Sequence, residues 1–354
     1  MEQVTLGVIA VVLGVAVGFV LFIPFVAISY RRRGRLSFGR IAMWAAFLVY
    51  FWAIWTYTLL PLPEPGTLQC VGTNLNPFEF IDDIRGAIAR PGNTFTDFAI
   101  LQLALNVLLF LPLGFFLRVL GGRGILTALL IGLGLSALVE TTQLTGVWGL
   151  YPCAYRVFDV DDMLTNTLGA VIGSLAGLAV PAHHRGLSLG ASTSAPAQVT
   201  RGRRVIAMLC DWLGATIVTA SVGISVQFWL EYVVADHDAV LDGRIASFAG
   251  TWAPIMVWLV LVLATGRTVG DIAVDLRYRG GNMPVVIARL LRYGGGIGGY
   301  LLVGLLPVVS GLAMFLFCLT SIVLVFITAQ GRGLPGILSD QEVTDARADA
   351  HTAI

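Results

Sequence analysis

Seven polar residues lie within a largely apolar part of the chain, at spacings that can support ligand binding or acid–base chemistry. Asp162 and Asn166 are followed by Gly169 and Gly173 at i, i+4, i+7 and i+11, which places all four on one helical face. Polar groups at membrane depth cost several kcal/mol each, so such a cluster is first interpreted as a functional site. The seven residues are Asn106, Glu140, Gln143, Arg156, Asp159, Asp162 and Asn166.

The residue types in this set favour binding over catalysis. The amides Asn106, Gln143 and Asn166 can donate and accept hydrogen bonds, as recognition of a polar head group requires. Glu140 or Asp162, once desolvated, could serve as a general acid or base. However, the set contains no His, no Ser beside a base and no metal-ligand spacing. We therefore expect no metal and no cofactor, and the sequence leaves enzymatic activity undecided while favouring a non-enzyme.

A purely structural role explains the same residues. Asp159 can cap the following helix, with Asp161 and Asp162 in a first turn that favours negative charge. Glu140 and Arg156 carry opposite charges, and the link between them is short enough to let them meet and hold helices together. Under either interpretation the seven side chains should converge, because each polar group at this depth needs a partner or a water-filled cavity.

The composition indicates a polytopic membrane protein with an all-α fold. Hydrophobic residues make up 57% of the chain and charged residues only 12%, and a spanning helix needs about 20 mostly apolar residues. No basic run is long enough to indicate nucleic-acid binding, so the expected partner is the lipid bilayer. Eight stretches qualify as spans: 5–29, 41–62, 100–120, 125–145, 161–181, 205–232, 248–265 and 296–329.

Arginine clusters orient these spans, since Arg-rich short loops mark the cytoplasmic side of a membrane. Clusters at residues 31–35, 185–204 and 267–292 are consistent with one topology in the bacterial cytoplasmic membrane, with the N-terminus outside. The polar set then lies at one depth, near the outer leaflet. The loops expected outside the cell are 63–99, 146–160 and 233–247.

A polar linker rich in Ser, Gly, Ala and Pro, at residues 182–203, divides the chain into two membrane domains. The first domain, residues 1–181, holds five spans; the second is residues 204–345, and residues 346–354 form a flexible tail. Pro307 and Gly311 interrupt the last apolar stretch, which is either one tilted helix or a helical hairpin. We expect the hairpin, which returns the tail to the cytoplasm.

Two of the four cysteines are predicted to form a disulfide. Cys70 and Cys153 lie in loops placed outside the cell, where thiols oxidise. Cys210 and Cys318 lie within spans, where we expect them to remain reduced as small apolar side chains.

The second domain contains a polar pair of its own. Arg204 and Asp211 share one helical face, and Asp211 lies about two turns into the membrane. An ion- or proton-sensitive site and a hydrogen bond that orients helices both explain this pair. Further along, Asp271, Asp275 and Arg279 recur at i, i+4 and i+8, which indicates either a short amphipathic segment on the inner membrane surface or a plain cytoplasmic loop.

Four motifs follow one another in residues 40–180. They are Asn74-Leu75-Asn76-Pro77-Phe78, Gln102-x3-Asn106-x3-Phe110-x-Pro112-Leu113-Gly114-Phe115, Glu140-x2-Gln143-Leu144, and Arg156-x-Phe158-Asp159-x-Asp161-Asp162-x3-Asn166-x-Leu168-Gly169. These motifs and their order resemble the VanZ-like family. The resemblance implies a membrane protein associated with resistance to teicoplanin-type glycopeptides.

Residues from about 200 to 345 resemble the RDD family of membrane proteins, which implies a role in assisting transport. The family's second aspartate corresponds to Asp271 or Asp275, and the tail departs from the family's usual His-Asp ending. The matching motifs are Arg204-x2-Ala207-x3-Asp211 at the start of the sixth span and Gly266-x-Thr268-x-Gly270 after the seventh.

The residues and the two resemblances together predict a cell-envelope factor. Its outward-facing polar pocket is expected to bind an amphiphilic envelope component or a glycopeptide. Three alternatives stay open: a membrane enzyme acting on an envelope lipid, a transporter accessory, and a structural partner protein.

Overall fold

The computed structural model describes residues 2–64, 68–90, 94–186, 198–307 and 310–348. The chain is 76% helical, with almost no sheet. Six helices in the described part are long and apolar enough to cross a membrane. The expectation of an all-α, polytopic membrane protein is therefore confirmed.

Internal contacts divide the chain into two compact units. Unit one consists of residues 1–18 and 37–188, and unit two of residues 19–36 and 189–354. Helix α1, Glu2–Arg33, therefore contributes its first half to unit one and its second half to unit two. The boundary after residue 188 falls within the predicted linker, much of which lies outside the described residues.

Unit one also contains the helices α2 (Phe38–Leu59), α3 (Glu79–Ala89), α4 (Phe98–Val119), α5 (Ile125–Leu144) and α6 (Val160–Ala176). Of these, α2, α4 and α5 are long and apolar enough to cross a membrane. Helix α6 begins where the predicted fifth span begins, but it has only 17 residues and is followed by a 3-10 turn at Gly177–Ala179. Other short helical turns lie at Thr94–Thr96, Gly146–Gly149 and Ala182–His184.

Glycines allow α6 to pack directly against the backbone of α4. A Cβ atom added at Gly169 would overlap the carbonyl oxygen of Val107, and one added at Gly173 would overlap that of Leu111. Gly114 on α4 meets the backbone of α6 in the same way. This is the close approach that small residues four positions apart permit between membrane helices.

The segment between α2 and α4 is fastened to the segment that precedes α6. Strand β1 (Thr73–Asn74) pairs in parallel with strand β2 (Phe158–Asp159). The sulfur atoms of Cys70 and Cys153 lie at bonding distance, and their Cα atoms are 5.6 Å apart. This geometry is the one that the predicted disulfide requires.

Unit two combines long helices with a small sheet. Cys210 and Cys318 are free cysteines. Within the predicted tail, residues 349–354 lie outside the described part of the chain. The helices are α7 (Arg201–Trp229, extended by a π-helical turn Leu230–Val234), α8 (Arg244–Thr265), α9 (Val285–Gly295) and α10 (Ser310–Ile327), with short helices at His237–Asp242, Val269–Ala273, Ile297–Val303, Ala329–Gly331 and Gly333–Leu338.

A two-stranded antiparallel ribbon replaces the amphipathic segment predicted around residues 271–279. Strand β3 (Leu276–Arg279) pairs with β4 (Glu342–Asp345). The preceding helix ends at Ala273, and Asp275 adopts a positive φ of 54° that turns the chain into the strand. The prediction was wrong because the partner strand lies far along the sequence, and helical spacing alone cannot reveal a long-range pairing.

The last apolar stretch is divided between a seven-residue helix and α10, so it is not one continuous helix, and the predicted membrane hairpin stays a prediction. The helix Ile297–Val303 ends before Pro307, and α10 follows. A Cβ atom at Gly299 would lie 2.9 Å from the Phe317 ring, and one at Gly304 would lie 3.3 Å from the Met314 sulfur. Gly299 precedes Gly304 in the sequence, but its neighbour Phe317 follows Met314, the neighbour of Gly304. The two helices are therefore antiparallel.

A buried ion pair ties strand β4 to the first turn of α7. Arg203 Nη1 lies 2.8 Å from the Asp345 carboxylate, and both side chains are 2% exposed. Arg347 donates to the same carboxylate at 2.7 Å. Burial raises the pKa of Asp345, but the hydrogen bonds from Arg347 and Arg203 outweigh burial and hold this pKa well below the usual range of an aspartate.

Acid should therefore weaken unit two through Asp345. Because the pKa of Asp345 is lower in the folded chain than the unfolded value of about 3.9, its stabilisation is present above that value and is lost as the pH falls below it. We expect Tm to fall from about pH 5 to about pH 3, and Asp345→Asn to lower Tm at neutral pH and to reduce this fall. Thermal unfolding across the pH series measures both effects. Asp340→Asn, at an exposed position, is the control; an acid slope unchanged by Asp345→Asn would contradict the assignment.

Candidate functional site

Glu140 lies at the junction of α5 and the N-terminus of α6. Its side chain is 3% exposed, and Oε2 accepts a hydrogen bond from the Asp159 amide at 3.0 Å. Asp159 is the N-cap of α6, and its Oδ1 accepts from the Asp161 amide at 2.8 Å. The capping role predicted for Asp159 is therefore present, and Glu140 is held beside it.

Asp162 faces α4 from the first turn of α6. Its Oδ1 accepts a 2.6 Å hydrogen bond from Asn106 Nδ2, and the Gln102 side chain also hydrogen-bonds to it. Asp162 follows Asp159, whose amide donates to Glu140, by three residues. The structure thus places two carboxyl groups near the start of α6, one supported by a backbone amide and the other by two side-chain amides.

Asn166 lies one turn further into the bundle. It is 5% exposed, and its Nδ2 donates to Ser136 Oγ on α5 at 2.9 Å. Its Oδ1 is buried and accepts no hydrogen bond from any described residue. An acceptor at this depth normally has a partner, and the described residues leave this one unsatisfied. We call Asn106, Glu140, Asp159, Asp162 and Asn166 the acid–amide cluster.

Gln143 and Arg156 contact the C-terminal end of α2 instead of this cluster. Gln143 Nε2 donates to the Thr58 carbonyl at 2.7 Å, and Arg156 Nη2 donates to the Leu60 carbonyl at 3.0 Å. The last carbonyls of a helix lack partners within the helix, so side-chain donors stabilise its end. Tyr155, which the sequence did not single out, donates to the Leu59 carbonyl at 3.1 Å.

The expected ion pair between Glu140 and Arg156 is not formed among the described residues. Glu140 instead accepts from the Asp159 amide, and Arg156 donates to a backbone carbonyl. The short segment between Glu140 and Arg156 permits an ion pair. Unsatisfied backbone groups at the two helix ends are alternative partners for both side chains, and the structure has these bonds instead. Hydrogen bonds thus join Glu140 to Asp159 and Asn106 to Asp162, whereas Gln143 and Arg156 bond to the end of α2. A shared binding role for the seven residues stays a prediction.

Asp161 has a role that sequence spacing did not reveal. It is 6% exposed, and its two carboxylate oxygens accept from the amides of Phe78 and Phe80 at 2.7 and 2.9 Å. Asn74 Nδ2 donates to Asp159 Oδ2 at 3.3 Å. Asp161 thus satisfies the first amides of α3, and these contacts fix the Asn74–Phe80 segment beside the cluster.

The chemistry of the cluster suits recognition of a hydrogen-bonding group. Its members offer carboxyl oxygens, one amide oxygen without a donor, and two amide groups, all within unit one. Within the described part of the chain, no group of three or more His, Cys, Asp or Glu residues could hold a metal ion.

The polar pair predicted in unit two is buried, but its members take other partners. Arg204 lies 3.1 Å from Asp271, donates to the Gly331 carbonyl at 3.2 Å, and bonds the Tyr278 hydroxyl. Asp271 is thus the aspartate that pairs with Arg204, whereas Asp275 lies 3.5 Å from Arg267.

Asp211 forms a separate set of hydrogen bonds in unit two. It accepts from Trp258 Nε1 at 2.9 Å, from the Thr268 hydroxyl at 2.7 Å and from the Gly270 amide at 2.8 Å. Thr268 also accepts from the Asp271 amide at 3.1 Å, which links the two aspartates. Arg203, the residue before Arg204, was missed by the sequence analysis although it binds two backbone carbonyls and Asp345.

The fold defines a multi-pass helical membrane protein with a polar cluster in its first unit. Comparison with protein families gives a VanZ/LLP1 domain at residues 47–180, a range that contains the whole acid–amide cluster. No curated protein and no solved structure matches the chain. The family comparison shows no RDD domain, so the resemblance of residues 200–345 to that family stays a prediction.

Proposed function

We propose that this protein is a cell-envelope factor of the bacterial cytoplasmic membrane, whose acid–amide cluster binds the polar group of an amphiphilic envelope component or a glycopeptide. The observation that carries this proposal is the buried Asn166 Oδ1, which no described residue satisfies, beside the carboxyl groups of Glu140 and Asp162. The VanZ/LLP1 domain around the cluster supports a role in glycopeptide resistance.

The cluster favours a ligand group rich in hydrogen-bond donors. Glu140, Asp159 and Asp162 supply carboxyl oxygens, while the nearest arginine, Arg156, is engaged by a backbone carbonyl. Amine and hydroxyl groups, such as those of sugars and of peptide termini, match such acceptors. An apolar tail on the same molecule can remain in the bilayer.

We place the cluster at the outer leaflet. Arg-rich segments at residues 31–35 and 185–204 mark the cytoplasmic side, and the cluster lies at the opposite ends of α4 to α6. The bonded pair Cys70–Cys153 at the same end agrees with exposure to an oxidising environment. The C-terminal tail is proposed to be cytoplasmic, since β4 pairs with β3, which lies within the Arg-rich segment 267–292.

The proposal predicts that the cluster can be disabled without loss of the protein. Glu140→Gln and Asn166→Ala, expressed in a glycopeptide-sensitive bacterium, should return lipoglycopeptide sensitivity several-fold toward that of cells lacking the protein. Each substitution removes about 0.5–1.5 kcal/mol of hydrogen bonding to the ligand. Minimal inhibitory concentration and membrane abundance are measured together.

Glu79→Gln, the same substitution at an exposed position in the Asn74–Ala89 region, is the matched control and should leave sensitivity unchanged. Unchanged sensitivity with reduced abundance of the Glu140 and Asn166 variants would instead assign the cluster a structural role.

A membrane enzyme acting on an envelope lipid is the second candidate. It is favoured by the carboxyl groups of Glu140 and Asp162 near the start of α6, since two carboxyl groups can serve as general acid and general base. In that case Glu140→Gln would abolish turnover of the lipid while its binding persisted. A transporter accessory would instead depend on Asp211 in unit two.

A further inference from the structure

Unit two contains an amphiphilic cavity of about 270 Å³, separate from the acid–amide cluster. Its polar lining includes Ser321 and also Arg292 and Tyr278, which stack on each other beside the Arg204–Asp271 pair. Many of its other lining residues are apolar, among them Phe317 and Val325. A cavity with both polar and apolar lining matches a molecule that has a polar head and an apolar chain.

Two polar side chains that line this cavity are buried without a hydrogen-bond partner. Arg292 on α9 is 4% exposed and Ser321 on α10 is 6% exposed. Neither Nε nor Nη2 of Arg292, nor Oγ of Ser321, bonds to any described residue. Leaving such groups unsatisfied is costly, so both side chains point to a ligand with acceptor atoms.

The two unpartnered nitrogens of Arg292 lie on one edge of its guanidinium. This edge presents two parallel N–H groups, the geometry that binds a carboxylate through two hydrogen bonds. The guanidinium stacks on the Tyr278 ring, 4.7 Å from its centroid. Among nearby carboxylates, Asp271 pairs with Arg204, and Asp211 is occupied by three other donors.

The apolar side of the cavity reaches the exterior of unit two. Its lining residues Leu209, Trp212 and Ile322 are also 40%, 41% and 44% exposed. Exposed apolar side chains on membrane-length helices face the acyl chains of the bilayer. An alkyl chain whose head is held at Arg292 can therefore extend along this wall to the lipid.

We propose that the cavity binds a single-chain anionic amphiphile, an acyl carboxylate, with its carboxylate on Arg292 and Ser321 and its chain along the apolar wall. The two Arg292 nitrogens and the Ser321 hydroxyl oxygen are covered by protein atoms, so the head group reaches them when these two side chains rotate. This site is independent of the function proposed for unit one.

Photolabelling of the full-length protein tests the proposal. The protein, in nanodiscs of zwitterionic phosphatidylcholine, is irradiated with a diazirine-bearing palmitic acid, and labelled peptides are identified by mass spectrometry. Labels are expected on α9 and α10, with competition by palmitate. Arg292→Gln should reduce labelling about tenfold or more, since a charge-assisted hydrogen bond is lost, and Arg292→Lys should be intermediate because it keeps the charge without the paired donors.

Arg289→Gln is the matched control on the same helix, because Arg289 donates to the Leu263 carbonyl and does not line the cavity. Its labelling should equal that of the wild type. Undiminished labelling of a folded Arg292→Gln variant, or equal competition by the uncharged methyl palmitate, would overturn the site. Competition by phosphatidylglycerol but not by palmitate would overturn the acyl-carboxylate assignment in favour of a phospholipid. If Arg292→Gln does not fold, the methyl-ester comparison on the wild type decides.

Discussion

Replacing Gly173 with alanine is expected to separate α4 from α6 and to deplete the folded protein. The added Cβ atom would overlap the Leu111 carbonyl oxygen, which is backbone and cannot turn away as a side chain can. Overpacking of a core by a methyl group costs about 1–3 kcal/mol even where side chains can shift, so we expect a loss at or above the upper end. The apparent Tm and the yield of monodisperse protein in detergent measure it.

Gly134→Ala is the matched control for this substitution. Gly134 lies in α5, and a Cβ atom added there would meet nothing within 4 Å. Alanine in an open helical position is neutral or stabilising by about 0.5–1 kcal/mol, because glycine loses more conformational freedom on folding. Equal Tm values for the two variants would show that α4 and α6 do not pack backbone against backbone.

Replacing Asp211 with alanine is expected to destabilise unit two strongly. Three buried donors, on Trp258, Thr268 and Gly270, would lose their acceptor. Each unsatisfied buried donor costs about 1–3 kcal/mol, which predicts a total of more than about 3 kcal/mol. Thermal unfolding of the purified protein measures the loss. Asp242→Ala, at an exposed position, should leave Tm nearly unchanged.

The asparagine variant separates the structural and ion-sensitive interpretations of Asp211. Its Oδ1 can still accept from Trp258 and Gly270, and its amide can donate to the Thr268 hydroxyl. Asp211→Asn should therefore retain most of the stability that Asp211→Ala loses. Loss of a transport phenotype in a stable asparagine variant would favour an ion-sensitive site, and a phenotype that follows stability alone would favour the structural role.

Features that depend on local pattern could be predicted from the sequence. Apolar length gave the six helices that are long enough to cross a membrane, although it also predicted spans at 161–181 and 296–329, where the described helices are shorter. Helical spacing placed Gly169 and Gly173 on the face that meets α4, and the residue type of Asp159 indicated an N-cap. The proximity of Cys70 and Cys153 followed from loop assignment. Each of these rests on a periodicity or a terminus that a short stretch of chain reveals by itself.

The choice of partners could not be predicted in the same way. Glu140 carries a charge opposite to that of Arg156, yet it accepts from a backbone amide, while Arg156 serves the last carbonyls of α2. Unsatisfied backbone groups at helix ends are alternative hydrogen-bond partners for polar side chains, and which partner a side chain takes depends on how the helices pack. The pairing of β3 with β4, and the capture of Asp345 by Arg203, depend likewise on contacts between distant parts of the chain.

The bond between Cys70 and Cys153 also determines what a protease can release from unit one. The two cysteines are 83 residues apart, and the exposed Arg85, with 74% of its side chain accessible, lies between them. A tryptic cut after Arg85 therefore opens the polypeptide without dividing the molecule. The two fragments remain one covalent species, because the disulfide joins residues on either side of the cut. On a denaturing gel they separate only when a reductant is added.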